Sequence, residues 1–365
     1  VKIINITITA KIKILPTIEQ VSLLQKTVRA YRNGCNFVSE IVFHTKQLKQ
    51  AALHRATYTE LRSGFALRSQ MAQSVMKTVI AKYKTNKNIG YGWSLVRFRK
   101  PEYDLLWNRD YSIMKDCFSV NTLQGRIKVP FIQKGMEKYF DGSWVFGTAK
   151  LICKHKKWLL LIPMTKYFEQ ASYKNIRQVV GIDFGQNFLA TTYDSRGKTT
   201  FFSGRQAKHK RAQYKRLLKQ LQMKKTPSAR QRLREIRERE NRWITDVNHC
   251  VSKALVSKYG KNTLFVIEEL NCAQKEVCYG WYFEQLRQML EYKARMKQSK
   301  VIAVEPKYTS QTCPKCGHTE RANRNKKQHM FICKTCQYTS NDDRIAAMNL
   351  QQNGIEYIVA VTALA

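Results

Sequence analysis

Three short segments, far apart in the chain, each bring one or two carboxylates into a setting suited to a divalent cation. Val180-Gly181-Ile182-Asp183-Phe184-Gly185 delivers Asp183 at the end of an apolar run. Leu264-Phe265-Val266-Ile267-Glu268-Glu269-Leu270 repeats the design around two glutamates. Asn341-Asp342-Asp343-Arg344 offers two aspartates in the first turn of a stretch with helical character. A charged group at the edge of an apolar strand has no packing role, and Gly181 and Gly185 leave room for a substrate backbone or a metal. Acids gathered from strand ends and a helix start can hold two Mg2+ ions, which activate water and stabilise the leaving oxygen in phosphodiester cleavage. Period two puts Glu268 and Glu269 on opposite faces, and adjacent helical residues diverge by about 100°, so spacing does not choose within either pair.

A second constellation precedes the third acid. Cys313-x2-Cys316 and Cys333-x2-Cys336, separated by sixteen residues, have the spacing of a four-thiolate zinc ribbon, with Gly317 suited to the tight turn after the first pair. Four thiolates leave no open coordination position, which favours a structural Zn2+ over a catalytic one. His318 and His329 are nearby substitutes. The other six cysteines (Cys35, Cys117, Cys153, Cys250, Cys272, Cys278) are scattered through apolar stretches, which fits a reducing cytoplasm rather than a disulfide framework.

The charge names the class of partner. Lys and Arg number 65 against 26 Asp and Glu, a formal net charge of +39, and such self-repulsion is relieved by a polyanion. No run of 18 apolar residues and no signal peptide is present, and the basic residues are spread along the chain, so a membrane is not the expected partner. Residues 205–242 carry fifteen Lys/Arg against three Glu. A solvated face would mix signs, so Lys208, Lys210, Arg211 and Lys215 are expected to meet phosphates.

Behind these groups stands an α/β chain of several domains. Residues 2–15 alternate as a strand ended by Pro16, and Thr17 with Gln20 forms a capping box for helices running to about residue 87. Residues 97–163 read as short strands, and the first strand is expected to join them, which makes the helical block an insertion. Residues 178–203 read as a three-stranded meander, followed by two basic helices divided at Thr226-Pro227-Ser228 and stopped by Gly260. A strand at 263–267, a helix at 282–297 and a strand at 301–304 complete the pattern.

Taken together, Gly181-Ile182-Asp183-Phe184-Gly185, Val266-Ile267-Glu268-Glu269-Leu270, Tyr308-Thr309-Ser310-Gln311-Thr312-Cys313-Pro314-Lys315-Cys316-Gly317 and Asp343-x-x-Ala346-Ala347-x-Asn349-Leu350 resemble TnpB, the transposon-encoded ancestor of type V CRISPR effectors. Asn248-His249-Cys250-Val251-Ser252-Lys253 and the stretch from Trp281 add to the resemblance, which covers 181–350 closely and the N-terminal half only by layout. It implies that Asp183, Glu268 and Asp343 are the catalytic acids. It also implies an RNase H-like (RuvC) nuclease domain with an inserted zinc ribbon, preceded by a β-barrel-like wedge domain carrying a helical recognition insert. The implied boundaries are 1–15 and 93–170 for the wedge, 16–92 for recognition, 171–307 and 339–365 for RuvC, and 308–338 for the ribbon.

The implied activity is cleavage of double-stranded DNA chosen by a guide RNA from the element's own end, beside a short flanking motif. Two Mg2+, one Zn2+, one copy of the chain per complex and a prokaryotic cytosol complete the expectation. Gln73 resembles a residue of the family helix that touches the flanking motif, and an amide can pair with adenine edges; Ser69, Gln70 and Lys77 share its helix. Ile345 stands where the family carries Asn, and 270–281 is short for the family's lid. The rival readings are a small CRISPR effector with a CRISPR RNA, an RNA-guided repressor that does not cut, and a strand-transfer transposase.

Overall fold

Ile6, Ala10, Ile12 and Ile14 are buried along strand β1 (Ile3–Ile14), and Pro16 withholds the donor that would continue it. Thr17 then caps α1 (Ile18–Thr45): its hydroxyl accepts the Gln20 N–H at 3.3 Å, while the Gln20 side chain accepts the Thr17 N–H at 3.1 Å. The computed structural model describes residues 3–132, 135–269 and 282–363. The chain forms two compact units, Asn5–Tyr167 and Val1–Ile4 with Phe168–Ala365.

In the first unit α1, α2 (Gln50–Ser63) and α3 (Ser69–Asn88) fall between β1 and the remaining strands. These are β2 (Glu102–Leu105), β3 (Tyr111–Ile113), β4 (Cys117–Thr122), β5 (Gly125–Ile132), β6 (Val145–Phe146), β7 (Ala149–Lys154) and β8 (Lys157–Glu169). The sheet order β2-β7-β8-β1-β5-β4-β3 places β1 inside the sheet, with β6 paired to β8. Tyr111 donates its hydroxyl to the Gly147 carbonyl at 2.7 Å and Trp107 meets Phe146 edge-on, which draws the β3 edge toward β6. The helices bury Leu24, Val28, Val38, Leu53, Leu61, Val75 and Val79. The buried Tyr31 hydroxyl is satisfied by Ser74 at 2.9 Å and Thr78 at 2.8 Å, and Thr78 donates to Asp104 of β2.

The second unit is built on a five-stranded sheet of order β11-β10-β9-β12-β13. Its meander is β9 (Gln178–Asp183), β10 (Phe188–Tyr193) and β11 (Thr199–Ser203); β12 (Thr263–Glu268) and β13 (Lys300–Val304) run parallel to β9. Two basic helices, α4 (Arg205–Lys224) and α5 (Pro227–Tyr259), connect the meander to β12. Thr226 caps α5 by accepting the Ala229 N–H at 3.2 Å, and Gly260 ends it at φ +70°. Helix α6 (Phe283–Met296) leads into β13. Three short strands, β14 (Arg324–Asn325), β15 (Met330–Ile332) and β16 (Thr339–Asn341), then form a small antiparallel sheet before α7 (Asp342–Ala363) closes the unit.

Alternation on the central strands divides the core in two. Val180, Ile182, Phe265 and Ile267 face α5 and α6 through Leu255, Leu286 and Leu290. Val179, Leu264 and Val266 face the other way, toward Leu350 of α7. That second face accepts α7 only because Gly181 lacks a side chain: a Cβ there would drive into the Ala347 carbonyl and lie 2.5 Å from the Gln351 amide nitrogen. The room expected beside Asp183 for a ligand is therefore, at Gly181, taken by helix backbone. Gly181→Ala is expected to destabilise the unit by about 1–3 kcal/mol, the usual cost of overpacking. Urea unfolding with an unchanged midpoint would rule out this close approach.

Candidate active site

Period two settles where the strand acids point. Asp183 follows Val179 and Gly181 on β9, and Glu268 follows Leu264 and Val266 on β12, so both leave the sheet on the α7 face. Ile182 and Ile267 are in register, so Asp183 and Glu268 emerge at the same level from adjacent parallel strands, which lie about 4.8 Å apart. Glu269 projects into solvent.

Helix α7 crosses this face with its first turn over the strand ends, and it carries the third acid. A Cβ at Gly185 would lie 4.0 Å from Asp343 Oδ2, which puts that carboxylate over the loop after β9. Burial first, then the charges of Glu268 and Asp343, hold the Asp183 carboxyl well above the usual range. Burial also raises Glu268, and burial with the neighbouring Asp342 raises Asp343. Three crowded acids that resist ionising together make a site whose negative charge a cation would relieve.

Asp342 has a different task. Its carboxylate is fully buried, with Arg324 Nε donating to Oδ2 at 2.8 Å and the Asp343 N–H donating to Oδ1 at 3.0 Å. Arg324 also donates to Ser310 Oγ at 3.0 Å, and its charge lowers all three strand and helix acids. Thr309 gives its hydroxyl to Glu268, and Asn349 of α7 holds the turn behind it by donating to the Thr309 and Thr312 carbonyls at 2.6 and 2.9 Å. Sequence reasoning missed Arg324 and Thr309. Arg324 reads as one more surface cation in a basic chain; Thr309 and Asn349 lay within the quoted motifs with no role attached.

The four cysteines converge. Cys313 and Cys336 sulfurs are 3.6 Å apart, Cys316 and Cys333 are 3.5 Å apart, and all four fall within 4.8 Å of one another. A tetrahedron with arms of about 2.3 Å has edges of about 3.8 Å, so the group fits a four-coordinate ion. His318 pairs with Glu320 at 3.1 Å and His329 with Asn187 at 2.5 Å, so neither histidine joins the thiols. Ile345 packs with Cys313, Phe331 and Cys333, so this position is core between α7 and the cysteine module and offers no polar contact to the acids.

On α4, Lys208, Arg211, Lys215 and Lys219 line a groove of about 790 Å³ that runs to Gln186, the residue after Gly185. Arg211 lies 3.9 Å from Glu240, and Lys210 sits over the Trp243 ring at 4.9 Å. In the other unit, Ser69, Gln73 and Lys77 fall at four-residue intervals along α3, with Ser69 sharing a hydrogen bond with the Tyr58 hydroxyl at 2.9 Å. Gln70 Nε2 is enclosed and has no hydrogen-bond partner among the described residues. The segment expected to be a short lid, 270–281, lies outside the described residues, as do Cys272 and Cys278. Among the described residues, no helix is long and apolar enough to cross a membrane.

Two family models match: "Probable transposase" over residues 164–276 and "Cas12f1-like, TNB domain" over 283–350. A Cas12f1 CRISPR-associated endodeoxyribonuclease of Sulfoacidibacillus thermotolerans is 31% identical over 35% of this chain, and the aligned part spans only 31% of that protein's own length. A TnpB-like protein of Methanocaldococcus jannaschii is 27% identical over 60% of this chain and 81% of its own. The fold is that of a solved structure of the mini-RNA-guided endonuclease CRISPR-Cas_phi3, at TM-score 0.52 and 10% identity, over 95% of this chain and 92% of that one.

Proposed function

We propose that this chain, which belongs with the TnpB and Cas12f proteins, is an RNA-guided endonuclease that hydrolyses DNA at Asp183, Glu268 and Asp343. The observation that carries the reading is the gathering of three acids from β9, β12 and α7 on one face of an RNase H-like sheet, each with its carboxyl pushed upward. Four carboxylates, Asp342 included, face one guanidinium, so negative charge remains for divalent cations to balance. Bound Mg2+ would supply a Lewis acid and an activated water. Asp183, Glu268 and Asp343 would hold it; Arg324 fixes Asp342 and offsets charge, and Thr309 orients Glu268. Cys313, Cys316, Cys333 and Cys336 would hold one structural Zn2+.

The rest of the chain suits a nucleoprotein. The α4 groove would carry the backbone of a strand toward the acids, and Ser69, Gln73 and Lys77 would read the flanking motif from α3, whereas the enclosed Gln70 amide is not free to do so. Lys215→Ala with Lys219→Ala is expected to lower nucleic-acid affinity for every sequence alike and to flatten the log–log salt dependence by about 1.4–1.8, the contribution of two phosphate contacts. An unchanged slope would take the groove out of the binding path.

The deciding experiment is to sequence the RNA that copurifies with the chain, then to offer Mg2+ and a randomised library of targets matching it. Cleavage beside one short motif, with RNA from a transposon end, is the expected result. RNA from a repeat array would favour the small CRISPR effector, a reading that the Cas12f-type match over 283–350 keeps in view. Guided binding without cleavage would leave a repressor.

A further inference from the structure

We propose that His329 is a positioning residue for the third acid, and that Asn187 and Lys208 set its ring. The inference rests on the nuclease reading and adds a residue to it. His329 sits at the turn before β15, at φ +53°, a left-handed conformation that glycine would adopt without strain. Lys208 Nζ donates to Asn187 Oδ1 at 3.2 Å. An ammonium has nothing to accept with, so this contact fixes the amide: oxygen toward lysine, nitrogen toward histidine. Asn187 Nδ2 lies 2.5 Å from His329 Nε2 and therefore donates to it. A ring that accepts at Nε2 carries its proton on Nδ1 when neutral, and Nδ1 faces Asp342 Oδ1 at 3.6 Å.

The backbone of His329 joins the same grip. Its carbonyl accepts from the Asp342 N–H at 3.3 Å and from Asn341 Nδ2 at 3.2 Å. Side chain and main chain thus hold the start of α7 from which Asp343 projects. Ligand atoms of His329, Asp342 and Asp343 lie within 4.8 Å of one another, a spacing that a metal could also use. The tautomer speaks against that role for the ring, because with Asn187 donating to Nε2 the protonated Nδ1 has no lone pair to offer. His329 acts through the carboxylates.

The test uses the guide-loaded chain with His329→Gly, His329→Asn and Asn187→Ala. Glycine removes the ring at a φ that suits it, and asparagine tolerates that φ while restoring a donor near Nδ1. His329→Gly and Asn187→Ala are expected to cut about tenfold more slowly, as loss of a group that orients a ligand does. Half-saturating DNA, zinc content and melting temperature should stay unchanged, and His329→Asn should recover most of the rate. Mn2+ affinity of the same proteins, read by electron paramagnetic resonance, should weaken about tenfold in His329→Gly and return in His329→Asn. Wild-type rate and wild-type Mn2+ affinity in His329→Gly overturn the proposal, as does equal impairment of the glycine and asparagine variants. A parent that neither cuts nor binds Mn2+ overturns the nuclease reading itself, and this inference with it.

Discussion

Asp183→Ala is expected to lower DNA cleavage by about a hundredfold to a thousandfold while guide and target binding persist. Removing one preorganised electrostatic partner from an active site costs about 10²–10³ in rate, and Asp183 is a proposed metal ligand whose carboxyl burial and two neighbouring acids push upward. The basic surface is untouched, so retention on a target in a gel shift should match the parent. Cleavage within a few fold of the parent would remove Asp183 from the mechanism.

The same position makes a stability prediction of opposite sign. Burial, then Glu268 and Asp343, raise the Asp183 carboxyl above its unfolded value of about 3.9. A carboxyl that ionises at higher pH in the fold stabilises below about pH 4, and loses that contribution as pH rises through the folded value. At neutral pH and without metal the crowded acids therefore cost stability. Asp183→Asn should raise the melting temperature of the metal-free protein at pH 7.5, by about 2–4 °C for each kcal/mol relieved. Mg2+ should stabilise the parent more at pH 7.5 than at pH 4.5, and the variant little at either. Calorimetry at the two pH values separates these outcomes.

The second large effect concerns the cysteines. Cys333→Ser is expected to lower zinc content from one ion per chain toward zero and to abolish cleavage. Structural zinc in such small modules accounts for about 10–16 kcal/mol of folding free energy at neutral pH, and β14–β16 are too short to bury a core without it. The damage should reach the acids because Arg324 and His329, which hold Asp342, belong to this module, and Ile345 of α7 packs against Cys313 and Cys333. Hydrogen exchange should rise through 313–341 and in the first turn of α7, while β9 and β12 stay protected. Full zinc occupancy in the variant would exclude the four-thiolate site.

Much of this was legible in the chain itself, for physical reasons that differ by element. The capping box at Thr17, the proline after β1, the cap at Thr226 and the glycine stop at Gly260 are local devices, acting within a turn of where they are written. The meander, β12 and β13 could be read because apolar runs bounded by turn residues have few other uses. The Cys-x2-Cys pairs announced their convergence because two such pairs sixteen residues apart suit one shared tetrahedral ion. Local chemistry of this kind does not depend on the rest of the fold.

What the chain alone left open were questions of facing. Glu268 against Glu269, and Asp342 against Asp343, differ by one residue, and period two or a 100° step says only that they diverge. Only the resemblance to TnpB pointed to Glu268 and Asp343, and packing supplies a physical reason for that facing: Val179, Leu264 and Val266 meet α7, which turns Asp183 and Glu268 toward it, while Arg324 and His329 engage Asp342. Gly181, Arg324, Thr309 and Ile345 likewise took their meaning from partners up to about half the chain away. Residue type and spacing thus determined which chemistry this protein could do. Packing of one helix across two parallel strands decided which side chains stand where it would occur, because facing is set by the partner an element buries against and is not encoded in the element.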